Sequence, residues 1–521
     1  MLKQNIQVHP GKRVVINTGF LYARMAITVF ISLYATRLIL NALGAEDFGL
    51  FNVVGGAVSM LTFLNIAMAT ATQRFISYAQ GEGNYEKQHQ IFNVSLVLHF
   101  IIAILVVLLL EVVGYFLFNG ILTIPTDRIG VAKIIFQFML ASTFFTIVSV
   151  PYDAVINAHE NMFLVAVLGI IEAIIKLVIA IYITQTSTDK LISYGLFMAI
   201  LAIFVLVLRQ VYCHKKYKEV QINFKKYFSK PLFKEITSFA GWSLMGTTSS
   251  VIASYGQGVV INMFFGTIVN AAQGIANQVS GQLGAFSGTM LKALNPLIVK
   301  SEGAGNRGLM IEAAMFGSKT SFFLLMLTFI PVIIEMPYIF KLWLKNVPDF
   351  TIIFCRLLLI RNLIEQMYAT LTNTISAVGN IRRFQIVASV LYFLPILVSY
   401  FIFRLHYPAY SLYIVFLVFS ILISVVVIYF AKANFNLSIF DYIKIVVSPS
   451  IGSFILAFIL TLIPYYLMNP GFIRFILVSI MSTISSFTAI WFIGFSADER
   501  KKIFKMFNGI SSIFRIKSTP E

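Results

Sequence analysis

The chain has 521 residues, of which 59% are hydrophobic and only 12% are charged, with a formal net charge of +18. A soluble domain carries about 25% charged residues, so these proportions exclude an ordinary globular protein and describe one that crosses a membrane many times. The basic excess does not indicate nucleic acid, because Lys and Arg fall in short loops between apolar runs, as membrane topology requires.

A basic start (Lys3, Lys12, Arg13) leads into a long apolar run with no short hydrophobic region and small-residue cleavage site, which predicts an uncleaved first helix. Stretches of about 20 apolar residues, enough to cross the hydrocarbon core, lie near 14–40, 48–70, 91–118, 131–151, 161–184, 191–213 and 236–264. Others lie near 271–298, 313–335, 352–377, 384–405, 409–431, 444–468 and 471–495, about fourteen in all. The expected fold class is an all-α polytopic membrane protein with both termini on one side. That side holds Arg74, Lys87, the block from Arg209 to Lys234, Lys300, Arg307, Arg382, Arg383, Lys432, Lys444 and the tail from Arg500 to Lys517. The other side holds only Arg128, Lys133, Lys190, Lys341, Lys345, Arg404 and Arg474, so both termini are expected in the cytoplasm.

The segment RQVYCHKKYKEVQINFKKYFSKPLFKE (Arg209 to Glu235) reads as a linker on an anionic leaflet, with partner docking as the alternative. Cys213 and Cys355 fall near opposite faces and are not expected to pair. No GxxxxGK[ST], HExxH or CxxC occurs, nor GxGxxG after a strand, so no ATPase, dinucleotide enzyme, cofactor or metal site is expected.

The linker sits where a duplication would join. In RFISYAQGEGNYEKQHQ and PLIVKSEGAGNRGLMIE, Gly81, Gly83 and Asn84 match Gly303, Gly305 and Asn306 at a constant offset of 222, which also relates Gly44 to Gly266 and Gly19 to Gly241. Copies with the same orientation imply a parallel repeat about the membrane normal. The expected organisation is an N-lobe at 1–213, a basic linker at 214–235, a C-lobe at 236–431, and two further spans with a basic tail at 432–521. Two six-helix lobes would enclose a central cavity and expose it alternately to each side.

LGAEDFGLFNVV (Leu43 to Val54), QRFISYAQGEGN (Gln73 to Asn84) and SAVGNIRRF (Ser376 to Phe384) carry a resemblance across essentially the whole chain. It resembles the polysaccharide (O-antigen-type) flippases of the multidrug/oligosaccharidyl-lipid/polysaccharide exporter superfamily. The resemblance implies a bacterial inner-membrane flippase, not an enzyme. Such a protein moves undecaprenyl-pyrophosphate-linked oligosaccharide from the cytoplasmic to the periplasmic leaflet. Its implied partners are that substrate and membrane lipids, with a polysaccharide polymerase or other assembly protein as a further candidate, and no nucleic acid.

A pyrophosphate entering a low-dielectric cavity needs compensating charge, and arginine offers a permanently protonated fork of donors. Arg24 lies about 15 Å into the first span, near the midplane, with no acid in its helix. Arg361 is equally deep, but Glu365 one turn on could neutralise it, as Glu172 could neutralise Lys176. Lys292 is long enough to reach an inner cavity mouth, whereas Arg37, Lys319 and Arg356 can snorkel. Asn17, Asn52, Gln257, Asn277 and Gln278 are candidate sugar contacts, the last two alternating with Gly274, Gly281 and Gly284 in a pattern that equally suits helix packing. Glu172 and His99 are candidates for proton coupling, with ion pairing and a satisfied interhelical histidine as their alternatives. Two other functions compete. A cation-coupled drug exporter of the same superfamily would need a membrane carboxylate that the first span lacks. A polysaccharide polymerase or O-antigen ligase would need a larger outside loop than MPYIFKLWLKNVPDF (Met336 to Phe350).

Overall fold

The computed structural model describes residues 10–59, 62–121, 127–344 and 347–501. Among them there is no strand. The chain runs through α1 (Pro10–Ser59), α2 (Thr62–Gly81), α3 (Tyr85–Phe116), α4 (Ile129–Ala158), α5 (Met162–Gln185), α6 (Lys190–Lys216) and the short α7 (Phe224–Tyr227). It continues through α8 (Lys230–Gly303), α9 (Arg307–Leu344), α10 (Thr351–Val378), α11 (Arg382–Arg404), α12 (Ser411–Phe435), the short α13 (Ile439–Tyr442), α14 (Ser448–Leu467) and α15 (Phe472–Ala489).

Bare apolar surface shows what surrounds these helices. Phe30, Leu108, Phe401 and Ile473 are each more than half exposed, together with many neighbours. In water such faces would aggregate; in a bilayer they are solvated by acyl chains. Ten described helical segments are long and apolar enough to cross. The predicted spans at 48–70, 236–264, 271–298 and 352–377 are not among those ten, although they are helical wherever described. They differ by carrying amides, hydroxyls and glycines, the residues a helix needs when one side faces something more polar than lipid.

The repeat is visible in the backbone. α1 and α8 are each two helical stretches joined at a glycine, Gly44 (φ 77, ψ 169) and Gly266 (φ 76, ψ −171), in a region essentially closed to other residues. The G-x-G-N motifs also act alike. Gly83 and Gly305 take left-handed φ values of 69° and 72°, and Asn84 and Asn306 cap the following helices by accepting the Lys87 and Leu309 N–H groups at 2.9 and 3.1 Å. The first glycines do something else. A Cβ at Gly81 would overlap the Lys300 carbonyl oxygen, and one at Gly303 would overlap the Tyr78 carbonyl oxygen. Lys300 and Tyr78 are themselves 222 apart, so the end of α2 and the end of α8 cross at mutually related positions with their backbones touching.

By compactness the chain divides into a first unit, Ile16–Thr247 with Val299–Gly305, and a second unit comprising the rest of the described chain. The division falls within α8 rather than at the linker. The start of α8 packs on α2, with Phe239 edge-on to Phe75 at 5.7 Å and under the Arg74 guanidinium at 5.2 Å. The end of α8 returns to the same unit through the glycine crossing and through Lys300, whose Nζ lies 2.9 Å from Glu160 Oε1. Glu160 holds a left-handed φ of 56° to make this contact, a backbone state disfavoured for a residue with a Cβ. At the opposite ends of the helices, Arg128 joins Asp47, just after the Gly44 turn, to Asp189, the α6 cap, with 2.9 and 2.7 Å contacts. In the second unit Arg474 grips Glu335 through two bonds of 2.7 and 2.9 Å, with both side chains buried.

Candidate functional site

Each unit carries a polar constellation within its membrane-spanning helices. In the first, Arg24 of α1 is half-buried and lies against α5 at Gly169, where a Cβ would collide with its guanidinium. The glycine gives the arginine its seat. Phe20, one turn earlier on α1, meets Phe163 of α5 edge-on at 5.1 Å, which fixes the packing of the two helices. Asn17 shares Arg24's face of α1 and is 8% exposed. Glu172 follows Gly169 by three residues, on the same face of α5, but its carboxylate is taken by Lys176 at 2.7 Å. Among the described residues Arg24 has no ion pair. With Glu172 paired to Lys176 alone, these three ionisable side chains carry a net positive charge.

In the second unit the half of α8 after Gly266 presents a stripe. Asn277, Gln278, Gly281, Gln282, Ala285 and Lys292 are exposed, at spacings that place them along one side of a helix. A Cβ at Gly274, Gly281, Gly284 or Gly288 would meet nothing within 4 Å, so these glycines do not serve close helix packing. They leave an open face beside the amides. Lys292 has no ion pair among the described residues and lies about 9 Å from the inner end of its predicted span. Amides and an ammonium exposed at such depth face water or a polar ligand rather than hydrocarbon.

Arg361 is paired within its own helix. Its Nε bonds Glu365 Oε1 at 2.7 Å, and its guanidinium lies 5.4 Å from the Phe416 ring. Gln257, only 5% exposed, lines the same pocket with Ser250, Ser254 and Tyr392, and the cavity there is about 20 Å³. That volume is about the size of one water. The i,i+4 alternative read from the sequence describes Arg361. Lys319 is 1% exposed, its ammonium paired with Glu499 at 2.7 Å rather than held in water.

His99 is fully buried in α3, with Nδ1 2.8 Å from the Ser95 carbonyl and Nε2 without a partner among the described residues. No described carboxylate bonds to it. The Asn52 side chain lies outside the described residues. Sequence reasoning missed Gly169, the Glu160–Lys300 pair and the Glu335–Arg474 pair, since each depends on a contact between distant positions. Gln282 was legible as part of the helical stripe.

Residues 23–182 match the MatE family profile. Among solved structures, a MATE in complex with MaD5 aligns with a TM-score of 0.71 at 14% identity, covering 82% of this chain and 97% of that one. An outward-facing multidrug resistance MATE family transporter of the MOP superfamily gives 0.69 at 15% identity, covering 82% and 96%. A MOP superfamily transporter from Pyrococcus furiosus, described as having a binding pocket of reverse polarity that suggests a different function, gives 0.66 at 14% identity, covering 82% and 96%. No curated protein matches the chain. This is therefore a multi-pass membrane protein with a MatE segment and the MATE transporter fold.

Proposed function

We propose that the protein is a flippase that moves an undecaprenyl-pyrophosphate-linked oligosaccharide from the cytoplasmic to the periplasmic leaflet of the bacterial inner membrane by alternating access, with both termini cytoplasmic. One observation carries this reading. Glu172, Glu335 and Glu365 each hold a basic side chain, while Arg24 and Lys292 have no ion pair among the described residues. Such a charge pattern suits an anionic cargo. The Gly-Asn-Gln stripe of α8 adds neutral donors and acceptors, with room beside the backbone for hydroxyl-rich rings. In this scheme Arg24 supplies the positive charge in the first unit; in the second, Lys292 supplies charge, Asn277 and Gln278 offer amides to sugar, and Arg361 is paired with Glu365.

The second reading is drug efflux, favoured by the fold's likeness to a multidrug resistance transporter. Two variants separate the readings. Arg24→Ala should abolish glycan export and accumulate the lipid-linked precursor on the inner leaflet, at normal membrane abundance. Arg24→Lys should keep part of the activity, because the charge stays while the fork is lost. Normal export by Arg24→Ala at normal abundance would overturn the assignment of Arg24 to the site, whereas proton-driven extrusion of cationic dyes by a wild type that exports no glycan would favour efflux.

A further inference from the structure

The linker between α6 and α8 is built, not slack. Asn93 of α3 holds its main chain from both sides, donating from Nδ2 to the Gln221 carbonyl at 2.8 Å and accepting the Asn223 N–H at 2.9 Å. Buried Glu219 is hydrogen-bonded to His159, whose ring stacks on Tyr217 with centroids 4.1 Å apart. Tyr227 stacks on His89 at 4.8 Å, and Asn223 caps α7 by accepting the Lys226 N–H at 3.2 Å.

These pins decide what faces outward. Ile222 lies between the two residues that Asn93 grips and is 50% exposed; Phe224 and Phe228, one turn apart, are 47% and 37% exposed. Lys218, Lys225, Lys226 and Lys230 are exposed around them, while the segment's one acid, Glu219, is turned inward. The outward surface is thus apolar and cationic, with no carboxylate of its own. Large apolar side chains held in water on a fixed backbone are unfavourable, so this surface fits something that covers it. α6 is long and apolar enough to cross a membrane and ends at Lys216, so the segment begins where that helix would reach the headgroup layer.

We propose that the ledge from Tyr217 to Lys230 binds the anionic phospholipid headgroups of the leaflet from which α6 emerges. Ile222, Phe224 and Phe228 enter the acyl boundary and the lysines meet the phosphates. Apolar insertion combined with basic charge is the combination by which amphipathic segments hold an anionic surface. The surface stands independently of the cargo proposed above.

Both native cysteines are fully buried, so Phe224→Cys or Phe228→Cys takes a nitroxide label at the ledge alone. In nanodiscs of phosphatidylcholine with or without phosphatidylglycerol, power-saturation EPR should place the label at the acyl boundary only when phosphatidylglycerol is present. It should withdraw at about 1 M salt, where screening acts within about 3 Å. The Lys225→Gln/Lys226→Gln/Lys230→Gln variant should lose the lipid response. On the unlabelled protein, native mass spectrometry should show that this variant retains at least about fivefold less phosphatidylglycerol, the factor expected for even one lysine near an anionic surface. A label equally wet in both lipids overturns the proposal, as does a response that survives the Lys→Gln changes. Shielding only by an added cytoplasmic protein would also overturn it, and would give the surface to a protein partner.

Discussion

Replacing Gly81 by alanine should force apart two chain segments that now cross with their backbones touching. The obstacle to the new Cβ is the Lys300 carbonyl oxygen, with the Ala304 nitrogen behind it at 3.0 Å. Neither is the tip of a flexible side chain, so the segments must separate by on the order of 1 Å to restore van der Waals distance. Overpacking costs about 1–3 kcal/mol, and movement of backbone on both sides places Gly81→Ala at about 2–3 kcal/mol on that scale. The same displacement stretches the Lys300–Glu160 contact. Gly303→Ala meets the Tyr78 carbonyl oxygen in the same way and should cost a similar amount. Because one separation admits both methyl groups, the double variant should fall short of the sum, with a coupling of about 1–2 kcal/mol. Equilibrium unfolding in SDS mixed micelles, followed by far-UV circular dichroism, measures all three. Gly274→Ala, with open space beside it, is the control. A Gly81→Ala value within about 0.5 kcal/mol of wild type, or additive single costs, would refute the reasoning.

Gly281→Ala should leave stability unchanged or raise it by about 0.5–1 kcal/mol, since alanine is the better helix former and nothing obstructs it; transport should nevertheless fall if the stripe faces cargo, so normal transport would count against that face. Glu335→Gln leaves Arg474 buried beside a neutral partner and should destabilise by about 3–5 kcal/mol, which an unchanged unfolding midpoint would contradict. The linker should loosen in acid. Burial pushes the Glu219 carboxyl up, but the hydrogen bond and charge of His159, with a smaller contribution from His89, hold it below the usual carboxylate range. A depressed folded value means its contribution is present above the unfolded pKa, near 4.3, and is lost as pH falls through the folded value. Tryptic cleavage at Lys218 in pulse assays after acid incubation should rise there in the wild type, and the rise should vanish in Glu219→Gln. Cleavage that is flat with pH in the wild type would argue against the pin.

What one strand of sequence could determine was whatever depends on composition and on near neighbours. Apolar runs of bilayer length specify spanning helices because lipid leaves the backbone no other way to satisfy its polar groups. The G-x-G-N pair at an offset of 222 specifies a repeat because a left-handed turn and an N-cap are local requirements, met by glycine and asparagine wherever they fall. The i,i+4 pairs Glu172–Lys176 and Arg361–Glu365 were legible for the same reason. What Arg24 faces was not, for its seat is made by an absent Cβ at Gly169, some 145 positions away. Nor could the sequence show that Arg361 lies beside Phe416, that Glu160 with its left-handed φ meets Lys300, or that Asn93 holds the main chain of the basic linker. A side chain's chemistry comes from its type, but its partner and the space around it come from segments that only the packed helices bring together.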